Sequence, residues 1–372
     1  MIIGIDASRA TAARRTGTEA YSLHLIRALL ELPSEHHFRL YFNVPPADSL
    51  FSPASHVEYR VIPFPRLWTH IRLGAELVRE RRGSDQGRVD VLFVPSHVLP
   101  LAFPGPAVAT VHDLGYRYFP RAHPTLSRLY LDWSTRWNSR RAAAIIADSE
   151  ATRQDLVDHY RVDPGKMVVA YPGYDVTLKP VRNRERLAAV RKRYRITGDY
   201  LLHIGTLQPR KNLLRLIDAY SSLAGIGPQL VLAGNPGWLS DPILERARQA
   251  GVVLPGYIED ADKAALLSGA TAFLFPSLYE GFGFPVLEAM ACGTPVLCSN
   301  TSSLPELSGC QDECAALLVD PMDTAALAAA IERIVADQAL RSDLVQRGFA
   351  NLQRFSWIKC ARQVLDTLEK AV

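Results

Sequence analysis

Short apolar and β-branched runs alternate with longer amphipathic stretches along the whole chain. The short runs predict strands, and the longer stretches carry the three-to-four-residue spacing of helices. Strands that alternate with helices in this way favour parallel sheets built from βαβ units. In the first half the predicted strands are residues 1–6, 39–42, 89–94, 107–111 and 144–148. In the second half they are residues 200–205, 229–233, 252–254, 272–275, 295–299 and 316–319.

Helical spacing between these strands predicts helices over residues 19–32, 150–160, 184–195, 213–223 and 284–292. Residues 322–372 are almost wholly helical in pattern. Ser149 and Ser356 precede two of these stretches, and serine is a favoured N-cap because its hydroxyl accepts a hydrogen bond from an unpaired helix amide.

The length of the chain predicts two domains. It has 372 residues, 48% of them hydrophobic, and single cores usually stop growing near ~250–300 residues. Residues 171–183 hold two prolines and a glycine without a sustained apolar period, which indicates a linker. We therefore predict domains at 1–178 and 179–372, with a last helix that could pack on either. Each half opens with a strand, a glycine, a basic loop and a helix.

Charge is weakly basic and unevenly distributed. The net charge is +4. Residues 1–186 carry 25 basic and 19 acidic side chains, a net of +6, and residues 187–372 carry 17 and 19, a net of −2. The basic half suits an anionic membrane surface or a phosphorylated acceptor, unless it reflects only a preference for arginine. No basic run interleaves with aromatics, so we expect no nucleic-acid partner. We also expect no signal peptide and no transmembrane helix.

The five cysteines form no CxxC pair, and their odd number argues against a complete disulfide framework. This pattern predicts a reducing, cytoplasmic location. Cys310 and Cys314 have three residues between them and no partner pair at zinc spacing, so we expect no metal site.

Residues 275–300, FPSLYEGFGFPVLEAMACGTPVLCSN, carry the strongest chemical pattern. A predicted strand leads to Glu280, then Gly281, Phe282 and Gly283 open a helix that contains Glu288. Glycines at a strand-to-helix turn let backbone amides approach an anion, and the helix dipole adds to the attraction. Two acids framing such a turn predict one contact to a sugar and one to a ribose, although a lone glutamate near a helix start is usually a cap.

A second pattern lies in HIGTLQPRKNLLRLIDAY, residues 203–220. Gly205 follows a strand, and Arg210 and Lys211 stand directly before a helix. The helix dipole disfavours cations at that end, so the pair indicates an anionic ligand, unless it is an ordinary solvated pair. Arginine offers a planar fork and lysine a point charge, which together could neutralise a diphosphate without a metal ion.

These strings, EGFGFPVLEAMACGTPV with seven residues between the glutamates and GTLQPRKN, resemble the retaining glycosyltransferases of family 4. The resemblance extends to TVHDL at residues 110–114, IIADSEATRQDL at 145–156 and the opening GIDASRATAARRTGTEAYSLHLIRAL. It implies the α/β GT-B fold, two Rossmann-like domains whose parallel sheets face one another across a cleft. The N-terminal domain would bind the acceptor and the C-terminal domain the nucleotide sugar.

The resemblance also implies roles for individual positions. Arg210 and Lys211 match the pair that binds the donor diphosphate, Glu280 the glutamate near the transferred sugar, and Glu288 the one that holds the ribose hydroxyls. His112 matches a histidine that contacts the transferred sugar. The other matched donor-binding positions are Gly17, Gly205, Tyr257, Ile258, Gly281, Phe282 and Gly283. The Gly17 loop, TGTE, has one glycine where many relatives have a longer run.

The reaction implied is retaining transfer of a hexosyl group from a nucleotide-diphosphate sugar to a hydroxyl, with no metal and no cofactor. GDP-mannose is favoured weakly over a UDP-hexose as donor, and a glycan or lipid-linked molecule is the implied acceptor. A nucleotide-sugar epimerase of the GT-B fold and a non-catalytic nucleotide-sugar-binding protein remain alternatives. The first strand lacks a following G-x-G-x-x-G, which argues against a nicotinamide enzyme.

Residues 65–83, PRLWTHIRLGAELVRERRG, can form a helix with one apolar side and several arginines. Such a helix suits an anionic lipid surface and peripheral membrane contact, but a core-facing helix with a solvated basic face fits as well or better. His97 and His123 are predicted to be loop histidines without a role.

Overall fold

The computed structural model describes residues 1–12, 17–52, 54–64, 67–82, 87–96, 98–120, 124–223, 227–310 and 313–372. They form two compact units. The first comprises residues 1–114, 125–173 and 355–372, and the second comprises 115–124 and 174–354. The chain thus leaves the first unit between Gly173 and Tyr174, within the predicted linker but not at 178/179, and its last segment returns to the first unit.

The first unit is a parallel sheet flanked by helices. Over the described residues its strands are β1 (Ile2–Asp6), β2 (His37–Phe42), β3 (Val57–Val61), β4 (Val91–Val94), β5 (Ala107–Val111), β6 (Ala144–Ala147) and β7 (Met167–Val169). They lie in the order β3-β2-β1-β4-β5-β6-β7. The helices are α1 (Gly17–Glu31), α2 (Gly74–Arg82), α4 (Thr125–Arg141), α5 (Glu150–Tyr160) and α14 (Trp357–Lys370).

The second unit repeats this plan. Its strands are β8 (Tyr200–Ile204), β9 (Gln229–Ala233), β10 (Val253–Gly256), β11 (Ala272–Phe275), β12 (Val296–Ser299) and β13 (Leu317–Val319), in the order β10-β9-β8-β11-β12-β13. Its helices are α3 (Gly115–Tyr118), α6 (Arg184–Arg193), α7 (Leu213–Ser221), α8 (Asp241–Gln249), α9 (Asp260–Ser268), α10 (Phe284–Ala291), α11 (Leu304–Leu307), α12 (Thr324–Ala336) and α13 (Gln338–Asn351).

Both sheets are doubly wound, which confirms the predicted fold class. In each sheet the first strand lies in the interior, and the order of the strands reverses beside it, between β1 and β4 and between β8 and β11. Ligands of such sheets bind at this reversal, outside the carboxyl ends of the strands. The topology therefore predicts ligand sites at the loops that follow β1, β4, β8 and β11.

The central strands are buried on both faces, as is typical of parallel sheets. Every residue of β4, β5, β11 and β12 is buried. The predicted caps are also present: the Ser149 hydroxyl accepts a hydrogen bond from the Thr152 amide, and the Ser356 hydroxyl accepts one from the Lys359 amide. These caps fix where α5 and α14 begin.

Residues 67–82 behave as a core-facing helix. A π-helical turn, Thr69–Leu73, runs into α2, and Trp68, Leu73 and Leu77 join the hydrophobic core of the first unit. Of the predicted stretch, residues 65–66 and 83 lie outside the described residues. The alternative of a basic face on a packed helix therefore fits the described part.

The cysteines depart from expectation at one place. Cys310 and Cys314 form a disulfide, with their Cα atoms 4.3 Å apart, whereas the sequence predicted reduced thiols. The left-handed turn at Gly309, with a φ of 69°, precedes the pair. Cys292, Cys298 and Cys360 are buried free thiols. Among the described residues, no helix is long and apolar enough to cross a membrane.

Candidate active site

Two loops meet at the carboxyl edge of the second sheet, where the strand order reverses between β8 and β11. After β8 the chain passes Gly205 and forms a 3₁₀ turn, Pro209–Lys211, that ends at Asn212 in the left-handed conformation, φ 59°. The Asn212 side-chain amide donates a hydrogen bond of 2.7 Å to the Pro321 carbonyl. This hydrogen bond ties the turn that carries both cations to the loop between β13 and α12.

The carboxylate of Glu280, in the loop after β11, lies between these two cations. The Lys211 ammonium donates to Oε1 at 2.6 Å, and the Arg210 guanidinium donates to Oε2 at 2.9 Å. The same Arg210 nitrogen also donates to the Tyr279 carbonyl at 2.5 Å. Glu280 is only 7% exposed and Lys211 8%. The predicted sugar-binding acid and the predicted phosphate-binding pair therefore form one buried cluster with a net charge of +1.

Electrostatics keep Glu280 ionised despite its burial. Burial alone would raise the pKa of its carboxyl, but the charges of Arg210 and Lys211 and the lysine hydrogen bond lower that pKa to about 2. The carboxylate is thus a permanent acceptor at neutral pH. It can receive hydrogen bonds from hydroxyl groups, and it cannot act as a proton donor.

Hydroxyl groups of the next loop fix the backbone around Glu280. The Glu280 amide donates to Ser302 Oγ at 2.9 Å, and Ser303 Oγ donates to the carbonyls of Glu280 and Phe282 at 3.0 and 2.6 Å. Gly283 caps α10 with a φ of 116°. A Cβ there would lie 3.0 Å from Leu304 Cδ2, so the positive φ and this tight contact both favour glycine at the start of α10.

Glycines lie at the carboxyl ends of three adjacent strands: Gly205 follows β8, Gly234 follows β9 and Gly256 ends β10. Gly234, after β9, has a φ of 138°, and its amide donates to the Gly256 carbonyl at 2.7 Å. A Cβ on Gly234 would lie 2.0 Å from the Gly205 carbonyl oxygen. Sequence reasoning included Gly205 but missed Gly234. The signal was present, since the string LAGNPG also places a glycine directly after a buried strand.

The second predicted glutamate belongs to a different pair. Glu288, within α10, forms a salt bridge with Lys263 on α9, with 2.5 Å between Glu288 Oε2 and Lys263 Nζ. Burial alone would lower the pKa of Lys263, but the neighbouring Glu288 carboxylate raises it. Tyr257 and Ile258 connect β10 to α9, with Tyr257 46% exposed and Ile258 buried. The structure thus gives Glu288 a lysine partner that the sequence did not indicate.

A buried histidine lies beneath the cation pair. The His203 ring stacks on Phe275 at 5.7 Å, and the Lys211 ammonium lies 4.7 Å from the centre of that same phenylalanine ring. His203 Nδ1 donates to the Leu274 carbonyl at 2.9 Å. Burial lowers the pKa of His203 to about 4, with the charge of Lys211 contributing. The ring is therefore neutral at physiological pH and adds no positive charge to the site.

In the first unit, His112 follows β5 and pairs with a buried acid. His112 Nδ1 lies 2.6 Å from Asp148 Oδ2, and Nε2 lies 3.1 Å from the Pro95 carbonyl. Burial alone would lower the pKa of His112, but the Asp148 carboxylate raises it. Both ring nitrogens thus lie within hydrogen-bond distance of an acceptor, which fixes the orientation of the ring. Asp148 directly follows β6, in the string ADSE. An acid directly after an apolar strand is a pattern that could have indicated this residue from the sequence.

Gly17 begins α1, and the Tyr21 ring one turn later lies edge-on to His112 at 4.7 Å. Thr16 of the predicted glycine loop, His97 and His123 all lie outside the described residues. Among the described residues, no group of three metal-ligating side chains is found.

Two family models cover most of the chain. The model described as "Glycosyltransferase Family 4" matches residues 15–178. The model described as "Glycosyl transferases group 1" matches residues 190–350.

Curated relatives are similar over much of the chain. The chain is 34% identical over 267 residues to the O-antigen chain mannosyltransferase B of Escherichia coli, covering 70% of this chain and 69% of that protein. It is 30% identical over 237 residues to the serotype-specific mannosyltransferase WbdA of Escherichia coli, covering 61% of this chain but 28% of that longer protein. It is 28% identical over 330 residues to an MMP alpha-(1->4)-mannosyltransferase of Mycolicibacterium hassiacum, covering 83% and 76%.

Solved structures share the whole fold. Sucrose-phosphate synthase from Thermosynechococcus elongatus superposes with a TM-score of 0.76 at 22% identity, covering 99% of this chain and 98% of that one. Anabaena HepE, solved with UDP and glucose, gives 0.75 at 18% identity with 99% of each chain covered. Fold and site together define a glycosyltransferase with the GT-B fold. The chain belongs to glycosyltransferase family 4, as its motifs indicated.

Proposed function

We propose that the protein is a retaining hexosyltransferase that uses a nucleotide-diphosphate sugar and transfers the sugar to a hydroxyl of a glycan or lipid-linked acceptor. The observation that carries this proposal is the buried cluster of Glu280, Arg210 and Lys211 at the chain reversal of the second sheet. Two cations and one carboxylate leave a net positive charge next to the start of α10, which suits an anionic group beside a hydroxylated one.

In this mechanism the diphosphate lies against Arg210 and Lys211. Both cations are held in place by Glu280 before any donor arrives, so they need little reorganisation to stabilise the charge that develops as the diphosphate leaves. The amides of Gly281, Phe282 and Gly283 at the α10 start add to this stabilisation. No enzymic nucleophile is proposed, and the departing phosphate takes the proton of the acceptor hydroxyl.

Glu280 accepts hydrogen bonds from hydroxyls of the transferred sugar, and Glu288 accepts them from the ribose. His112 donates its Nε2 hydrogen to the sugar in place of the Pro95 carbonyl, a role supported by the Asp148 carboxylate that orients the ring through Nδ1. Gly17 and Gly205 offer backbone to the phosphates, and Tyr257 with Ile258 packs on the base. Neither a metal ion nor a cofactor takes part.

The donor proposed is GDP-mannose, with a UDP-hexose as the second choice. Mannosyltransferases among the relatives support mannose, and the UDP complex of HepE supports uridine. We also propose a cytoplasmic protein with peripheral contact at the inner face of the membrane through the first unit. The three reduced cysteines support this location, and the Cys310–Cys314 disulfide does not.

A panel of nucleotide sugars tests the donor, first by thermal shift and then by transfer with excess chelator present. We expect one nucleotide sugar to raise the melting temperature most, because a ligand stabilises in proportion to its binding. Transfer should persist in chelator, and the product should keep the donor's anomeric configuration. Inversion of that configuration, or strict metal dependence, would contradict the mechanism.

Incubating the preferred donor without acceptor separates the rival activities. An epimerase converts the donor to an isomer, which chromatography of the nucleotide sugar detects. A non-catalytic binding protein gives neither isomer nor product with any acceptor. The proposed transferase gives product with an acceptor and no isomer.

A further inference from the structure

Helix α4 of the first unit exposes several large apolar side chains. Its fully buried residues are small and polar, namely Ser134, Thr135 and Asn138, and Trp137 packs partly buried against the core. Its exposed residues include four large apolar ones: Leu126 is 82% exposed, Leu129 56%, Tyr130 39% and Trp133 42%. A helix on a protein surface normally places its apolar side toward the core. The outward side of α4 therefore calls for a covering that the chain itself does not provide over its described residues.

The four exposed side chains form one continuous stripe, because their spacing of three, four and seven residues puts them on the same face of a helix. The stripe meets the π-helical turn of residues 69–73: His70 Nε2 lies 2.9 Å from the Tyr130 hydroxyl, and the His70 ring lies 5.8 Å from Trp133. Next to His70, Ile71 is 50% exposed. We call Ile71, Leu126, Leu129, Tyr130 and Trp133 the α4 ridge.

Near the α4 ridge, the arginines are more exposed than the acids with which they pair. Arg136 pairs with Asp132, yet its side chain is 53% exposed against 25% for the acid. Arg9, whose charge acts on Tyr130, pairs with Glu19 and is 60% exposed against 14%. Arg140 continues the stripe two turns past Trp133 and is exposed. Solvent on this side therefore meets cations, tryptophan and tyrosine together.

We propose that the α4 ridge docks on the surface of an anionic lipid bilayer. Leucine enters the boundary between headgroups and acyl chains, while tryptophan and tyrosine favour that boundary because their rings are apolar with one polar atom. The outward arginines attract anionic headgroups. A second copy of this chain would bring the same cations to the contact, so charge favours the bilayer over self-association. The inference gives the proposed peripheral contact a defined surface.

Vesicle co-sedimentation of the full chain tests the proposal. We expect binding to phosphatidylethanolamine vesicles with about 30% phosphatidylglycerol, weaker binding at high salt, and none to pure phosphatidylcholine. Replacing Leu126→Ser with Leu129→Ser should weaken the binding by about tenfold or more, since both side chains would otherwise leave water. Arg140→Glu should also weaken it. The matched controls are Leu239→Ser with Met322→Ser, both 62% exposed in the second unit, and the exposed Arg184→Glu.

Equal binding of the ridge variants and the controls would overturn the proposal, as would equal binding to neutral vesicles. So would a wild-type dimer in sedimentation velocity that the leucine variants dissociate, because a second copy would then cover the ridge. Thermal stabilisation by nucleotide sugars should be unchanged in all these variants. If nucleotide sugars did not stabilise the wild type, the proposed function would be refuted, but the result with vesicles would remain valid.

Discussion

Glu280 keeps its negative charge in a buried position because two cations share it. The charges of Arg210 and Lys211 lower the pKa of its carboxyl to about 2. Relative to the ordinary value of 4.5, the shift corresponds to about 3 kcal/mol of folding free energy. A group with a depressed pKa stabilises the folded state at pH values above its unfolded pKa. That stabilisation is lost as the pH falls toward the folded pKa.

The variant Glu280→Gln should therefore lower the free energy of unfolding by about 3 kcal/mol at neutral pH. The difference from wild type should shrink steadily between about pH 5 and pH 2, because the Glu280 carboxyl of the unfolded chain binds its proton in this range while that of the folded protein stays ionised down to its lower pKa. Urea unfolding at a series of pH values measures it. The exposed Glu332→Gln serves as control and should change little, and a difference independent of pH would contradict the ionised cluster.

Lys263 offers a second prediction at the scale of single residues. If Glu288 holds the ribose, its lysine partner positions the carboxylate, and Lys263→Met should weaken binding of a ribonucleotide by about tenfold. The same variant should leave binding of the matching deoxyribonucleotide nearly unchanged. Titration calorimetry with both nucleotides measures this difference. Equal losses for both would show a merely structural role, and the exposed Lys192→Met is the matched control.

Residue patterns revealed part of this site because its chemistry clusters at loops. Arg210 and Lys211 were recognisable as cations in an unfavourable place, and Glu280 as an acid beside glycines. The partners were not recognisable, since they come from distant sequence. Asp148 lies 36 residues from His112, and Arg210 lies 70 residues from Glu280. Only the order of the strands decides which of these loops become neighbours.

At the scale of elements, the buried strands and both edge strands of the second sheet could be predicted, but the edge strands of the first sheet could not. The central strands are continuous apolar runs because both faces are covered. Strand β3 reads VEYRV, is largely exposed and occupies the edge of its sheet, so its sequence carries no comparable signal. Strand β7 has three residues at the opposite edge. Pairing with a neighbour, rather than residue preference, makes both of them strands.

The glycines at the carboxyl edge of the second sheet provide a test at the scale of secondary-structure elements. In Gly234→Ala the new methyl group would meet the Gly205 carbonyl, so we expect a loss of roughly 3 kcal/mol or more in stability, together with weaker donor binding. Gly251→Ala is the matched control, because Gly251 also has a positive φ, 66°, but open space around it. It should cost about 1 kcal/mol. Denaturant unfolding compares them, and equal costs would rule out the close approach.

At the scale of the whole molecule, sequence order and spatial order differ. The final helix α14 belongs to the first unit, where Trp357 stacks on His24 at 5.4 Å and meets Tyr21 at 5.8 Å. Cys360 Sγ approaches the Ala170 carbonyl at 3.6 Å. The sequence showed this helix and its cap, but amphipathic spacing alone does not say which sheet a helix covers.

Truncating the buried side of α14 should therefore destabilise the first unit. Leu368 is fully buried, and Leu368→Ala should cost about 2–5 kcal/mol. Hydrogen exchange should then speed up in α1 and β1 before it does in β8 or β11. Ile358→Ala, at a position 39% exposed, is the control and should leave exchange nearly unchanged. Faster exchange confined to the second unit would contradict the assignment of α14.

This return of the chain has a consequence for biosynthesis. Translation proceeds from the N-terminus, and domains that are continuous in sequence can fold as they emerge from the ribosome. The first unit cannot be completed in that way, because the helix that covers α1 is synthesised after the second unit. The apolar face of α1 therefore stays uncovered until the entire second unit has been synthesised. A nascent chain arrested before residue 355 should therefore be a client of chaperones, whereas the released full-length chain should not.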